Sequence, residues 1–73
     1  MAKYMLVFKV SFIYDEGTND SSREYTVECQ PSELDGVIAN KKAALVAQAK
    51  RIARETGGSK LEAAVSLTQV ASL

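Results

Sequence analysis

The chain has 73 residues, with nine basic and nine acidic side chains, one cysteine and no histidine. This length allows one small domain with one thin core, and the single cysteine excludes an intramolecular disulfide. Without histidine the chain lacks the commonest general base and the commonest metal ligand, so we expect a protein without enzymatic activity, cofactor or metal.

We also expect a soluble protein of the cytoplasm, folded as one domain over residues 1–73. A lone cysteine fits a reducing compartment, and no apolar run approaches the ~20 residues that a membrane span needs. The amino-terminal apolar stretch is interrupted by Lys9 and Ser11, and no signal-peptide cleavage pattern follows it.

Residues 3–14 alternate with a period of two, which predicts a β-strand with one strongly apolar face. The apolar set is Tyr4, Leu6, Phe8, Val10, Phe12 and Tyr14. Residues 15–22 are rich in turn formers and predict a hairpin loop. Residues 23–30 alternate again and predict a second strand, with Tyr25, Val27 and Cys29 facing inward.

A helix is predicted after Pro31. Ser32 and Asp35 have the spacing of a capping box at the start of a helix. A start at Asn40 is the alternative. We prefer the earlier start, because it places acidic residues in the first turn, where they interact favourably with the helix dipole. Gly57-Gly58 predicts its end. At ~100° per residue one face is apolar. Its members are Leu34, Ile38, Leu45, Ala49, Ile52 and Ala53.

From Lys60 onward, alternation predicts a third strand and therefore a single α+β domain of ββαβ order. A right-handed crossover places the second and third strands parallel, on either side of the first, so the sheet order is 2-1-3. The single amphipathic helix covers one face of the three-stranded sheet, and the other face is either wet or covered by another molecule. That uncovered face is predicted to carry Met5, Val7, Ile13, Ala64, Ser66, Thr68 and Val70.

The charges are sorted along the chain, which bears on partners more than on fold. Residues 1–40 carry seven acidic and three basic side chains, whereas every charge from Lys41 to Arg54 is basic. Lys50, Arg51 and Arg54 fall opposite the apolar helix face. They are candidate partner-binding residues, and a merely solvated helix face is an equally weighted alternative.

The third strand offers a second candidate interface, because residues 63–73 carry no charge and no proline. Edge strands of soluble proteins are usually protected by such residues or by a bulge. Ser66, Thr68 and Val70 are therefore candidates for strand addition or for a homodimer, although the last residues could instead fray. Two weaker signals favour ordinary structure: Cys29 as a buried thiol and the acidic residues 15–24 as a solvated hairpin tip.

The ββαβ order, the acidic hairpin and the alanine-rich stretch Gln48–Ala53 resemble the small inhibitor proteins that bacteriophages encode, anti-CRISPR proteins among them. The resemblance implies a non-catalytic inhibitor in the host cytoplasm that occludes a host protein or complex. It also implies that Lys50, Arg51 and Arg54 contact that host protein or its nucleic-acid site. We therefore expect a protein-binding module; the alternative is a small nucleic-acid-binding or regulatory protein that uses the same basic helix face.

Overall fold

The computed structural model describes residues 2–55 and 62–73, and it confirms the predicted α+β fold. Two strands, β1 (Ala2–Tyr14) and β2 (Gly17–Cys29), form a hairpin. A 3-10 turn at Pro31–Glu33 leads into the helix α1 (Leu34–Glu55), and β3 (Glu62–Ser72) completes the sheet. The strand order is β2-β1-β3, and β1 is antiparallel to both neighbours.

The hairpin is longer and its turn shorter than the sequence predicts. β1 and β2 pair without a break from Ala2 opposite Cys29 to Tyr14 opposite Gly17, which leaves two residues, Asp15 and Glu16, as the turn. The predicted loop over 15–22 is therefore wrong. Hydrogen bonds between residues 17–22 and residues 9–14 of β1 outweigh the turn preference of the polar residues. Gly17, at φ 149°, takes a backbone conformation that favours glycine and closes the turn.

The helix begins early, as predicted, but different residues form its cap. The backbone N–H of Gln30 donates to Glu33 Oε1 at 3.1 Å, and the N–H of Glu33 donates to the Gln30 carbonyl oxygen at 2.9 Å. Gln30 and Glu33 thus take the capping role expected of Ser32 and Asp35. The predicted helix end at Gly57-Gly58 and the start of the third strand at Lys60 lie outside the described residues.

The core lies between α1 and the facing side of the sheet, which we call the helix side. Leu6 and Phe8 at its centre are fully buried, and Phe8 meets the Tyr25 ring edge-on at a centroid distance of 6.1 Å. The other members of the buried cluster are Val10, Leu45, Ala49 and Val65. Cys29 is buried too, as predicted. Ile52, predicted to face inward, is instead 40% exposed at the margin of the helix.

A β-bulge interrupts β3 and changes which side chains share a face. Leu67 pairs with Phe8 and Gln69 with Val7, so Thr68 is an extra residue between them. Because side chains alternate with a period of two, the inserted residue reverses the alternation beyond it. Val70 therefore pairs with Leu6 on the helix side, and its predicted place on the uncovered face is wrong.

Candidate functional site

Opposite charges collect on opposite sides of the sheet. The side away from α1, which we call the open face, carries Lys3 and Lys9 of β1. It also carries four carboxylates, as the strand register requires. They are Asp20, Glu24, Glu28 and Glu62. The basic residues of α1 and Arg23 of β2 lie on the helix side, so the charge sorting along the sequence becomes a separation of charge across the sheet.

The three predicted partner-binding residues lie on the outer surface of α1, pointing away from the sheet. Lys50, Arg51 and Arg54 are all exposed, and Leu45 and Ala49 are buried on the opposite side of the same helix. Within residues 2–55 and 62–73, none of the three has a carboxylate partner within 4.0 Å, because the ion pairs there involve Lys3 and Lys9. Their charges are therefore available to another molecule. Their position in the last turns of α1 also suits the helix dipole.

Two further cations on the helix side were not predicted as site residues. Lys41 holds its ammonium group 4.7 Å from the centre of the Tyr25 ring, a cation–π contact. Arg23 borders a narrow crevice between β2 and α1, together with Gln48 and Ile52. The alternation of β2 could have revealed Arg23, since it shares the parity of the inward-facing Tyr25.

The open face carries cross-strand ion pairs. Lys3 lies opposite Glu28 with the nitrogen and oxygen 3.5 Å apart, and Lys9 reaches Asp20 diagonally at 3.4 Å. All four side chains are about half exposed, so each pair adds little stability. Met5 and Val7 lie between them, half-buried. This arrangement suits a hydrated face better than close packing against a second acidic face.

The Asp20 carboxyl offers a test of this face. A hydrogen bond from the Ser11 side chain, aided by the nearby Lys9 ammonium, lowers the pKa of Asp20 from its ordinary value. We expect Ser11→Ala to raise this pKa, measured by NMR titration of the carboxyl carbon, and Ser22→Ala to leave it unchanged. A pKa lowered on folding stabilises the native state above the unfolded pKa, and this contribution disappears as the pH falls through the folded pKa. An unchanged pKa in Ser11→Ala would contradict the assignment.

The predicted edge residues of β3 do not act as one surface. Ser66 lies exposed on the open face, whereas Val70 lies on the helix side and is 42% exposed. Thr68 sits in the bulge, where its hydroxyl donates to the Val7 carbonyl oxygen at 3.0 Å. The edge is therefore partly protected, contrary to the expectation from its lack of charge. Its regular part is Glu62–Leu67, six residues before the bulge.

The described residues contain no group of three or more cysteine, aspartate or glutamate side chains arranged to hold a metal ion. Across residues 2–55 and 62–73, no helix is both long enough and apolar enough to cross a bilayer. Searches of protein-family models, of curated proteins and of solved structures gave no match to this chain.

Proposed function

We propose that the protein is a non-catalytic binding module that occludes an acidic surface of another protein, in the manner of a phage-type inhibitor of a bacterial host or defence complex. The observation that carries the proposal is the cluster of Lys50, Arg51 and Arg54 on the outer surface of α1, without carboxylate partners among the described residues. A helix anchored to the sheet by Leu45 and Ala49 presents these cations on a backbone that loses little entropy on binding.

Two features favour a protein over a nucleic acid as the partner. The open face carries more carboxylates than cations, and the nine acidic residues of the chain balance its nine basic ones, so a phosphate backbone would be attracted by one side and repelled by the other. In addition, no aromatic residue occurs in α1, so bases would find no stacking surface there. An acidic protein surface, in contrast, needs only the cations of α1 as binding partners.

Nucleic-acid binding is the second candidate, favoured by Arg23 and Lys41. They place two more cations on the same side of the sheet as the basic helix. A salt titration against nonspecific DNA distinguishes the candidates, because phosphate binding weakens steeply with salt. Binding at physiological salt with a steep salt dependence would support the nucleic-acid candidate and contradict the first.

The test of the proposed function is replacement of Lys50, Arg51 and Arg54 together by glutamate. We expect this triple variant to lose a partner that the native protein retains from bacterial lysate, because no core residue is touched and only the surface charge is reversed. Single replacements should each weaken binding by about 1 kcal/mol, mainly through slower association. The partner retained by the native chain would then be purified, and its affinity measured by calorimetry.

The matched control exchanges the same residues without changing charge: Lys50→Arg, Arg51→Lys and Arg54→Lys. This variant should keep most of the affinity, whereas the glutamate variant should not. Circular dichroism of both variants checks that the fold is intact. Equal affinity of the glutamate variant and the native protein would reject the proposed surface.

A homodimer is also proposed, through antiparallel pairing of two β3 strands over Glu62–Leu67 and around a two-fold axis. A dimer could also form by packing of the two open faces, but this would bring two acidic surfaces together. Sedimentation velocity over a micromolar concentration series should show a monomer–dimer equilibrium. Ala64→Lys should weaken it by placing like charges near the axis, and Thr26→Lys, on the opposite edge, should not. A monomer at every concentration would reject the dimer.

A further inference from the structure

The helix α1 does not lie over the middle of the sheet. It packs mainly against β3, less against β1, and makes few contacts with β2. Neighbouring strands are about 4.8 Å apart and a helix with its side chains is about 10 Å wide, so a helix placed toward β3 leaves β2 largely uncovered. A second helix at the usual interaxial distance of about 8–10 Å from α1 would therefore lie over β2.

We call the surface formed by the helix side of β2 and the adjoining side of α1 the β2 groove. Tyr25 and Val27 of β2 form its floor, and both are half-buried. Ile52 of α1 lies at one end of the groove and is 40% exposed. Lys41 and Gln48 lie on the same side of α1, the first over the Tyr25 ring and the second beside Arg23. The groove therefore combines an apolar floor with polar and cationic margins.

Cations border the middle of the β2 groove, and Glu55, which follows Gln48 by seven residues on the same side of α1, lies at its end. Arg23 on one margin and Lys41 on the other have no ion-pair partner within 4.0 Å in the described part of the chain. The acidic residues of β2 point away, because Asp20, Glu24 and Glu28 have the parity of the open face. A ligand in the groove thus meets cations and apolar side chains.

We propose that the β2 groove receives an acidic amphipathic helix of a partner protein. The apolar stripe of such a helix would cover Tyr25, Val27 and Ile52, and its carboxylates would pair with Arg23 and Lys41. An extended strand fits less well, because a strand added to the β2 edge would place half of its side chains beside the carboxylates of the open face. The inference rests on the proposed protein-binding function but uses different residues from those of the outer helix surface.

The test uses a synthetic amphipathic peptide of about 18 residues, with leucine on one helical face and glutamate on the other. A scrambled peptide of the same composition, without an apolar face, is the control ligand. Binding is measured by fluorescence anisotropy, and the site by amide chemical shifts of the ¹⁵N-labelled protein. We expect the largest shifts at Tyr25, Val27 and Gln48, and at least about tenfold weaker binding of the scrambled peptide.

Two neighbouring lysines give a matched pair of variants. Lys41→Glu reverses a charge over the groove, whereas Lys42→Glu makes the same change one residue away, where a helix places the side chain about 100° further round. We expect Lys41→Glu to weaken peptide binding about tenfold or more and Lys42→Glu to change it about twofold or less. The Arg23→Glu variant should behave like Lys41→Glu.

The inference is overturned if neither peptide binds, if Lys41→Glu and Lys42→Glu have equal effects, or if the shifts lie on the open face. If only the triple glutamate variant at Lys50, Arg51 and Arg54 loses peptide binding, the peptide binds to the outer surface of α1 instead. In that case the inference fails and the proposed function survives. If the Lys41 and Arg23 variants alone lose binding, the inference holds and the outer surface is not needed for this ligand.

Discussion

Replacing Phe8 with alanine should remove most of the stability of the domain. Phe8 is fully buried and contacts the Tyr25 ring, and truncation of a buried phenylalanine costs about 3–5 kcal/mol. A domain of this size has a free energy of unfolding near the lower end of the usual range, about 5 kcal/mol. Urea denaturation followed by circular dichroism measures the loss, and the variant should retain a free energy of unfolding of about 0–2 kcal/mol.

The control for this prediction is Ile13→Ala. Ile13 occupies the same strand on the open face and is 40% exposed, so its truncation should cost about 1 kcal/mol or less. Comparable losses for the two variants would mean that the core is not centred on the helix side, and the described packing would be wrong.

The second large effect is expected from Ala49→Glu. Ala49 is 3% exposed against the sheet, so the introduced carboxyl would be buried without a partner, at a cost of about 3 kcal/mol or more at neutral pH. Burial raises the folded-state pKa of such a carboxyl above its unfolded value. The penalty should therefore be smallest below the unfolded pKa and grow as the pH rises toward the folded pKa.

Ala47→Glu makes the same substitution two residues away, on the exposed surface of α1. We expect little change in its melting temperature at any pH. The measurement is the difference in melting temperature between each variant and the native chain at pH 4 and pH 7. A pH-independent loss in Ala49→Glu, or an equal loss in Ala47→Glu, would contradict the buried position of Ala49.

The sequence was sufficient to predict the elements and their order, because strong local signals agree with the packing. The alternation from Tyr4 to Tyr14 identifies the face of β1 that meets the helix, and the period of Leu45 and Ala49 identifies the face of α1 that meets the sheet. Both signals come from the burial of apolar side chains, which the sheet and the helix express with different periods.

The features that the sequence did not predict depend on contacts between segments that are distant in the chain. The two-residue turn is determined by ladder hydrogen bonds along the whole hairpin, which outweigh the turn formers among residues 15–22. The bulge at Thr68 depends on the register of β3 against β1, and no local pattern marks it. The lateral position of α1 is a property of the packed domain, so the placement of Lys41 over the Tyr25 ring could not be predicted from the sequence.

The bulge at Thr68 interrupts the outer edge of β3 by a single residue. Leu67 and Gln69 pair with consecutive residues of β1, Phe8 and Val7, so deletion of Thr68 would preserve every other pairing and both faces of the sheet. It would also turn the outer edge of β3 into one continuous strand, uncharged after Glu62. Such an edge is open to the same strand of a second copy, so we expect deletion of Thr68 to strengthen pairing through β3. The loss of a single codon would then change how the protein associates without altering its core.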